Sequence, residues 1–204
     1  MFRRSFIGCL GSLLVWCAAP SLAQGIAPEE LILKMSNEVI DSVKADKAIQ
    51  AGDIARINAL VDTQVMPNVD FEAMTISTVG RHWRDATAEQ KKRLQQEFKT
   101  LLVRSYSGAL AQVKNQTVEL KPPTRRLSDT EVEVRTLVVG GSEPLRLDYR
   151  LEKASDGWKI VNVNVLGVWL VEQYRSSFNQ MINAGGIDGL IDKLAARNNA
   201  GAKS

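Results

Sequence analysis

Hydrophobic positions along this chain follow two periods. Between Pro28 and Val113 they recur every three or four residues, and between Val118 and Val165 they alternate. In the first region, Pro28-Glu29-Glu30 predicts a helix start, with proline in the first turn and acids facing the positive end of the dipole. Leu31, Met35, Val39 and Val43 form its stripe, flanked by Ile32 and Ile40, and the run from Lys44 to Gly52 ends it. Asp53 predicts the cap of a second helix, buried through Ile54, Ile57, Leu60, Val61 and Val65 and closed by Pro67. Asp70 opens a third, with Phe71, Met74, Ile76 and Val79. Its β-branched residues are mediocre helix formers, so packing must hold it until Gly80. Thr87-Ala88-Glu89-Gln90 is a capping box, and it starts a long helix carrying Leu94, Phe98, Leu101, Leu102, Tyr106, Leu110 and Val113.

The alternating region predicts strands. Val118 and Leu120 make a short one, stopped by Pro122-Pro123. Val132, Val134, Thr136 and Val138 then face one way, against Glu131, Glu133 and Arg135, before a Gly140–Glu143 hairpin loop. Leu145, Leu147, Tyr149 and Leu151 alternate with Arg146, Asp148, Arg150 and Glu152. After a turn at Ser155-Asp156-Gly157, Val161, Val163 and Val165 alternate with Asn162 and Asn164. Gly167 allows a turn into a helix with Val168, Val171, Tyr174 and Phe178 on one face. Gly185-Gly186 stops that helix, and a short one follows from Ile187 with Leu190, Ile191 and Leu194. The fold class is α+β: four N-terminal helices, a four-stranded antiparallel meander with one wet and one apolar face, and two C-terminal helices. The helices must cover the apolar face, and the same residue types serve a packed core or a cavity.

The 26 basic and 23 acidic residues give a net charge of +3. Arg3 and Arg4 open an apolar run, Phe6–Ala19, that ends in Ser21-Leu22-Ala23, the pattern of a signal peptide (1–23) cleaved before Gln24. Without those two arginines the basic residues fall to 24, so the remaining chain is near neutral. No strong basic stripe suits nucleic acid. The run is too short for a normal membrane span. Cys17 follows the bulky Trp16, which argues against a lipidation site there. Cys9 and Cys17 both lie in the leader, which leaves a cysteine-free domain over 24–197 and a small-residue tail over 198–204 expected to be disordered. Such a domain must hold together by its core alone.

Candidate chemistry is sparse. His82 is the single histidine, so a two-histidine metal site is unavailable, and between Arg81 and Trp83 it reads as a helix-end or surface residue. Glu131 and Glu133 share a strand face, yet their alternation with valines reads as a solvated surface. Gly185-Gly186 and Gly189 follow a helix, where a phosphate loop follows a strand. The inventory suggests no catalytic residue, no metal and no cofactor.

Asn162-Val163-Asn164-Val165-Leu166-Gly167-Val168, Tyr174-Arg175, Phe178 and Gly186-Ile187-Asp188-Gly189-Leu190-Ile191 together resemble the periplasmic phospholipid-binding component of the Mla (maintenance of lipid asymmetry) system, the toluene-tolerance family. The resemblance extends upstream through Val65-Met66-Pro67, Phe71–Trp83 and Thr87–Tyr106, and departs at Trp169. It implies a non-enzymatic, periplasmic, monomeric carrier that shuttles a glycerophospholipid between outer and inner membranes, acyl chains inside an apolar cavity. The implied partners are an outer-membrane lipoprotein–porin complex and an inner-membrane ABC transporter bearing a ring of substrate-binding domains. Candidate wall residues are Met74, Val79, Phe98, Leu102, Tyr106, Val134, Leu147, Tyr149, Val163, Val165, Val168 and Tyr174, with tyrosine hydroxyls and Trp169 placed near the headgroup. A chaperone or adaptor for apolar peptides, and a cone-shaped α+β acid–base enzyme, are the alternatives. The enzyme would place an ionisable side chain toward the cavity.

Overall fold

The computed structural model describes residues 25–200, so the expected signal peptide with its cleavage point lies outside the described residues. Helix α1 (Pro28–Ala45) starts without a side-chain cap but with proline in its first turn, and buries Leu31, Ile32, Met35, Ile40 and Val43. A single turn, α2 (Lys47–Gln50), intervenes before α3. It is capped by Asp46, whose carboxylate accepts from the Ala48 and Ile49 amides. Asp53 caps α3 (Ile54–Leu60) as expected, and the chain runs on through a wide turn over Val61–Val65 and a tight one over Met66–Asn68. Asp70 caps α4 (Phe71–Val79), and the turn α5 (His82–Asp85) leads to the capping box of α6 (Ala88–Ala111), with both of its reciprocal hydrogen bonds present.

The sheet is antiparallel but has six strands where four were expected. The four long ones are β1 (Thr117–Leu120), β3 (Glu131–Val139), β4 (Leu145–Ala154) and β5 (Gly157–Val165), in the order β1-β3-β4-β5. Two-residue pieces finish the edges: β2 (Arg125–Arg126) on β3 and β6 (Val168–Trp169) on β5. Strands this short carry no alternation to read. The β6 pairing also corrects the expected helix start. Leu166 and Gly167 both have positive φ, +53° and +92°, so the chain reverses in a two-residue hairpin and Val168 pairs with Val165. Helix α7 (Leu170–Ala200) begins after it.

One register correction affects which residues face inward. Arg150 pairs with Asn162 but Leu151 pairs with Ile160, so Val161 is the extra residue of a bulge. The inward set on β5 is therefore Ile160, Val163 and Val165, not Val161, Val163 and Val165. Gly186 interrupts α7 with φ 68° and ψ −171°, a region essentially reserved for glycine, and the helix resumes with Leu190, Ile191 and Leu194 buried, as expected. The expected tail starts too early. Asn198 is buried in α7 and donates to the Glu97 carbonyl (3.0 Å) and carboxylate (2.7 Å), a tie that its polar composition did not suggest.

The outer face of the sheet is less wet than its alternation implied. Glu133, Asp148, Asn162 and Asn164 are all buried. Long arginines lie over them: Arg125 reaches Glu133 (3.1 Å), Arg146 Nε reaches Asp148 (2.7 Å) and Arg150 reaches Glu172 (3.1 Å). The two asparagines brace the end of β5. Asn162 Oδ1 accepts from the Val171 amide at the start of α7, and Asn164 Oδ1 accepts from the Gly167 amide in the hairpin turn.

Candidate functional site

Helix α6 presents one face to the core, and the positions i, i+4, i+7, i+11 and i+15 from Leu94 lie along it. Leu94, Phe98 and Leu101 on that stripe are 0–2% exposed. Phe98 sits among the rings of Phe71, Tyr174 and Phe178, at centroid distances of 5.5, 5.3 and 5.0 Å. One turn further on, the stripe opens: Leu102 and Tyr106 are half-buried, and Ser105 and Ala109 are exposed.

Part of the cause lies in α7. Its segment after the Gly186 kink runs beside the first half of α6, joined through Gln90–Asp188 (2.9 Å), Arg93–Asp192 (3.7 Å) and Asn198–Glu97. The second half of α6 lies beyond those ties.

The inner face of the sheet changes in the same direction. Where α1 crosses it, Val132, Val134, Tyr149, Leu151 and Ile160 are buried with Leu31, Ile32 and Met35. Toward the β3–β4 hairpin, Val118, Leu120, Val138, Leu145, Leu147 and Val165 are only half-buried. Between this end of the sheet and the end of α6 lies an open cleft of about 720 Å³. Ala109, Val113, Val138 and Leu145 give it apolar walls, and Gln112, Lys114, Asn115, Gln116, Ser142 and Glu143 a polar rim. An apolar floor under a polar rim suits a ligand with apolar chains and a polar end.

The sequence-derived wall residues divide into three groups. Leu102, Tyr106 and Val165 are half-buried against the helical core and Leu147 against the α1–sheet core, all on the side where cover thins, and Val163 packs against both cores, at the seam between them. Met74, Val79, Phe98, Val134, Tyr149 and Tyr174 are buried in those cores. Val168 belongs to neither core: it is 48% exposed, because β6 rather than a helix carries it.

The tyrosines also separate. Tyr149 is deeply buried, and burial pushes its hydroxyl pKa up, partly offset by hydrogen bonds with Ser36 and Thr136; it is not at a mouth. Tyr106 is half-buried against the helical core, its pKa raised by burial and then by the nearby Tyr174. Trp169 lies on the outer face, under the Arg150 guanidinium at 4.1 Å. Residues that the sequence reading missed are Val118, Val138, Leu145 and Ala109. Strand alternation had already marked Val138 and Leu145 as inward, whereas alanine is too small to register as part of a stripe.

Two other clefts have mixed polar and apolar linings. One, beside α2, contains the Asp46–Arg56 ion pair. The other, about 410 Å³ at the Gly186 kink, is bordered by His82, Asp85, Gln90 and Asp188. Among the described residues no group of three or more His, Cys, Asp or Glu side chains is placed to hold a metal ion. The buried carboxylates Glu133 and Asp148 alternate with inward residues and so face away from the cleft. None of the described helices is long and apolar enough to cross a membrane.

Comparison with known proteins gives a consistent result. The phospholipid-binding protein of Ralstonia solanacearum, solved in complex with a phospholipid, is 39% identical and superposes with a TM-score of 0.83 over 87% of this chain and 99% of that one. The toluene tolerance protein ttg2D of Pseudomonas putida is 27% identical over 90% of this chain and 85% of its own length. The intermembrane phospholipid transport system binding protein MlaC of Haemophilus influenzae is 22% identical over 82% of this chain and 80% of its own. The family model described as MlaC protein matches residues 33–196, and this chain belongs to that family.

Proposed function

We propose that this protein is a glycerophospholipid carrier that moves lipid between the inner and outer membranes, holding the acyl chains between the open half of α6 and the hairpin end of the sheet. The observation that carries this reading is the change in cover along one face of α6, closed at Leu94, Phe98 and Leu101 and open at Ser105 and Ala109 with Leu102 and Tyr106 half-buried beside them, while Val103 on the opposite face stays buried against α1, α2 and α3. The matching loss of cover on the inner face of the sheet supports it, as do the relatives' names and the lipid-bound neighbour.

The physical requirement is severe. Each methylene left in water costs about 0.8 kcal/mol, so ten exposed carbons cost roughly 8 kcal/mol. Both tails must therefore be enclosed in transit, and the 720 Å³ cleft must extend inward along Leu102, Tyr106, Leu147 and Val165 when loaded. Half-buried side chains can move apart with little loss of packing, which is the property a reversible cavity needs.

The expected signal peptide supports a periplasmic location, where the carrier exchanges lipid with an outer-membrane lipoprotein–porin complex and an inner-membrane ABC transporter. No reaction is required of it: the described carboxylates with the deepest burial face the opposite side of the sheet. Native mass spectrometry of protein purified without detergent, followed by organic extraction, tests the reading. One bound phospholipid per chain is the expected result. A bare, folded chain that also refuses added phospholipid would overturn it.

A further inference from the structure

The hairpin turn between β5 and β6 has a residue that neither packing nor backbone geometry calls for. Leu166 and Gly167 both occupy left-handed conformations, as a two-residue turn of this hand requires. Asn-Gly is the usual pair there, because asparagine tolerates positive φ and leucine does so only under strain. Leu166 is nevertheless in place, and it is 67% exposed, so burial does not compensate for the strain. Val168, directly after the turn, is 48% exposed. Strain retained with an apolar side chain pointing to solvent is a mark of function rather than of folding.

The surroundings indicate what the turn meets. The Leu166 amide donates to the Arg146 carbonyl (3.1 Å), and the next residue back, Leu145, lines the cleft. The turn therefore stands at the lip of the opening. Both Arg146, ion-paired to the buried Asp148 but with its side chain still 56% exposed, and Trp169, with the Arg150 guanidinium over its ring, adjoin the turn from the outer face of the sheet. Apolar side chains flanked by arginine and tryptophan match the boundary between lipid headgroups and acyl chains, where cations meet phosphate and tryptophan spans oil and water.

We infer that the Leu166–Val168 turn is a bilayer-contacting tip, by which the carrier rests on a phospholipid surface with its cleft beside the lipids. A protein partner is the weaker match, because two side chains fall far short of the roughly 800 Å² per side that a stable protein interface buries. A shallow tip gives weak contact, and a carrier must leave after each exchange. The inference rests on the carrier reading, but its test does not depend on how much lipid is bound.

The experiment is co-sedimentation of the mature protein with vesicles of phosphatidylethanolamine containing phosphatidylglycerol, for the wild type, Leu166→Asn and Leu166→Gly. Both substitutions suit the left-handed turn and remove the apolar group. Wild type should partition onto the vesicles and both variants about tenfold less, since one exposed leucine side chain is worth at least that factor. Their melting temperatures should equal or exceed that of the wild type, and their co-purified lipid should be unchanged. Equal partition of variants and wild type, or no wild-type partition at all, would overturn the tip. Wild-type protein that ignores vesicles yet binds a membrane-anchored protein through Leu166 would also overturn it, in favour of a protein contact. In either case a normal lipid load would leave the carrier reading intact.

Discussion

Two halves of helix α6 carry the same kind of stripe and lead different lives. From Leu94 to Leu101 the stripe is covered by Phe71, Tyr174, Phe178 and the post-kink part of α7, as in an ordinary core. Beyond Leu101 it is only partly covered, with Leu102 and Tyr106 half-buried and Ser105 exposed, and at Ala109 it reaches the cleft beside the hairpin end of the sheet. The stripe also thins from leucine and phenylalanine to Ser105 and Ala109, yet Leu102 and Tyr106 beside it are as apolar as the closed half, so residue type alone does not separate the two. What separates them is cover. The closed half, and Val103 packed against α1, α2 and α3 on the opposite face, hold α6 in place, so this side of its second half can stay partly uncovered.

The largest expected effect breaks the closed half. Phe98→Ala removes a fully buried ring from three aromatic neighbours and should cost about 3–5 kcal/mol in urea unfolding. Leu102→Ala, one turn away, should cost about 1 kcal/mol, since its side chain is already half-exposed. Equal losses at the two positions would erase the distinction between the halves.

A smaller effect belongs to the clamp itself. Gly186→Ala forces a Cβ into φ 68°, ψ −171°, and should cost about 1–3 kcal/mol while leaving the lipid load unchanged. Nothing lies within 4 Å of the added Cβ, so the cost is conformational rather than steric crowding. Hydrogen exchange should quicken in α7 after the kink and in the first half of α6.

The smallest effect is acidic. A hydrogen bond from Arg56 holds the Asp46 carboxylate below its ordinary value of 3.8, opposed by some desolvation and helped by the Ile49 and Ala48 amides. A carboxylate with a depressed folded pKa stabilises above its unfolded pKa, and that contribution is lost as pH falls through the folded value. The stability gap between wild type and Asp46→Asn should therefore be full at neutral pH and shrink below about pH 4. A gap that widens with acid would contradict the assignment.

Most of the fold was legible because its signals are local. The Asp53 and Asp70 caps, the Thr87–Gln90 box and the alternation of β3 and β4 each specify an element within a few residues. What escaped depended on contacts between distant residues. The bulge at Val161 is defined by pairing with β4, and the burial of Asn198 by Glu97, about a hundred residues away. The β6 hairpin was hidden by Leu166, which occupies a position where asparagine or glycine would have announced a turn. The site was legible only in part. Leu102, Tyr106, Leu147, Val163 and Val165 were named and lie along the loosely packed region or at the seam beside it, whereas Met74, Val79 and Phe98 were named and lie in closed core. Residue type is the same for both groups, and cover is a property of the assembled elements.

The measurement that bears most directly on the open half is native mass spectrometry of Ala109→Trp beside the wild type, both purified without detergent. Ala109 is exposed and lines the cleft, so the large ring can be accommodated without disturbing the Phe98 core. The account predicts a folded variant with wild-type melting behaviour and a bound-phospholipid fraction reduced severalfold. A folded Ala109→Trp protein carrying the same lipid load as the wild type would place the acyl chains elsewhere.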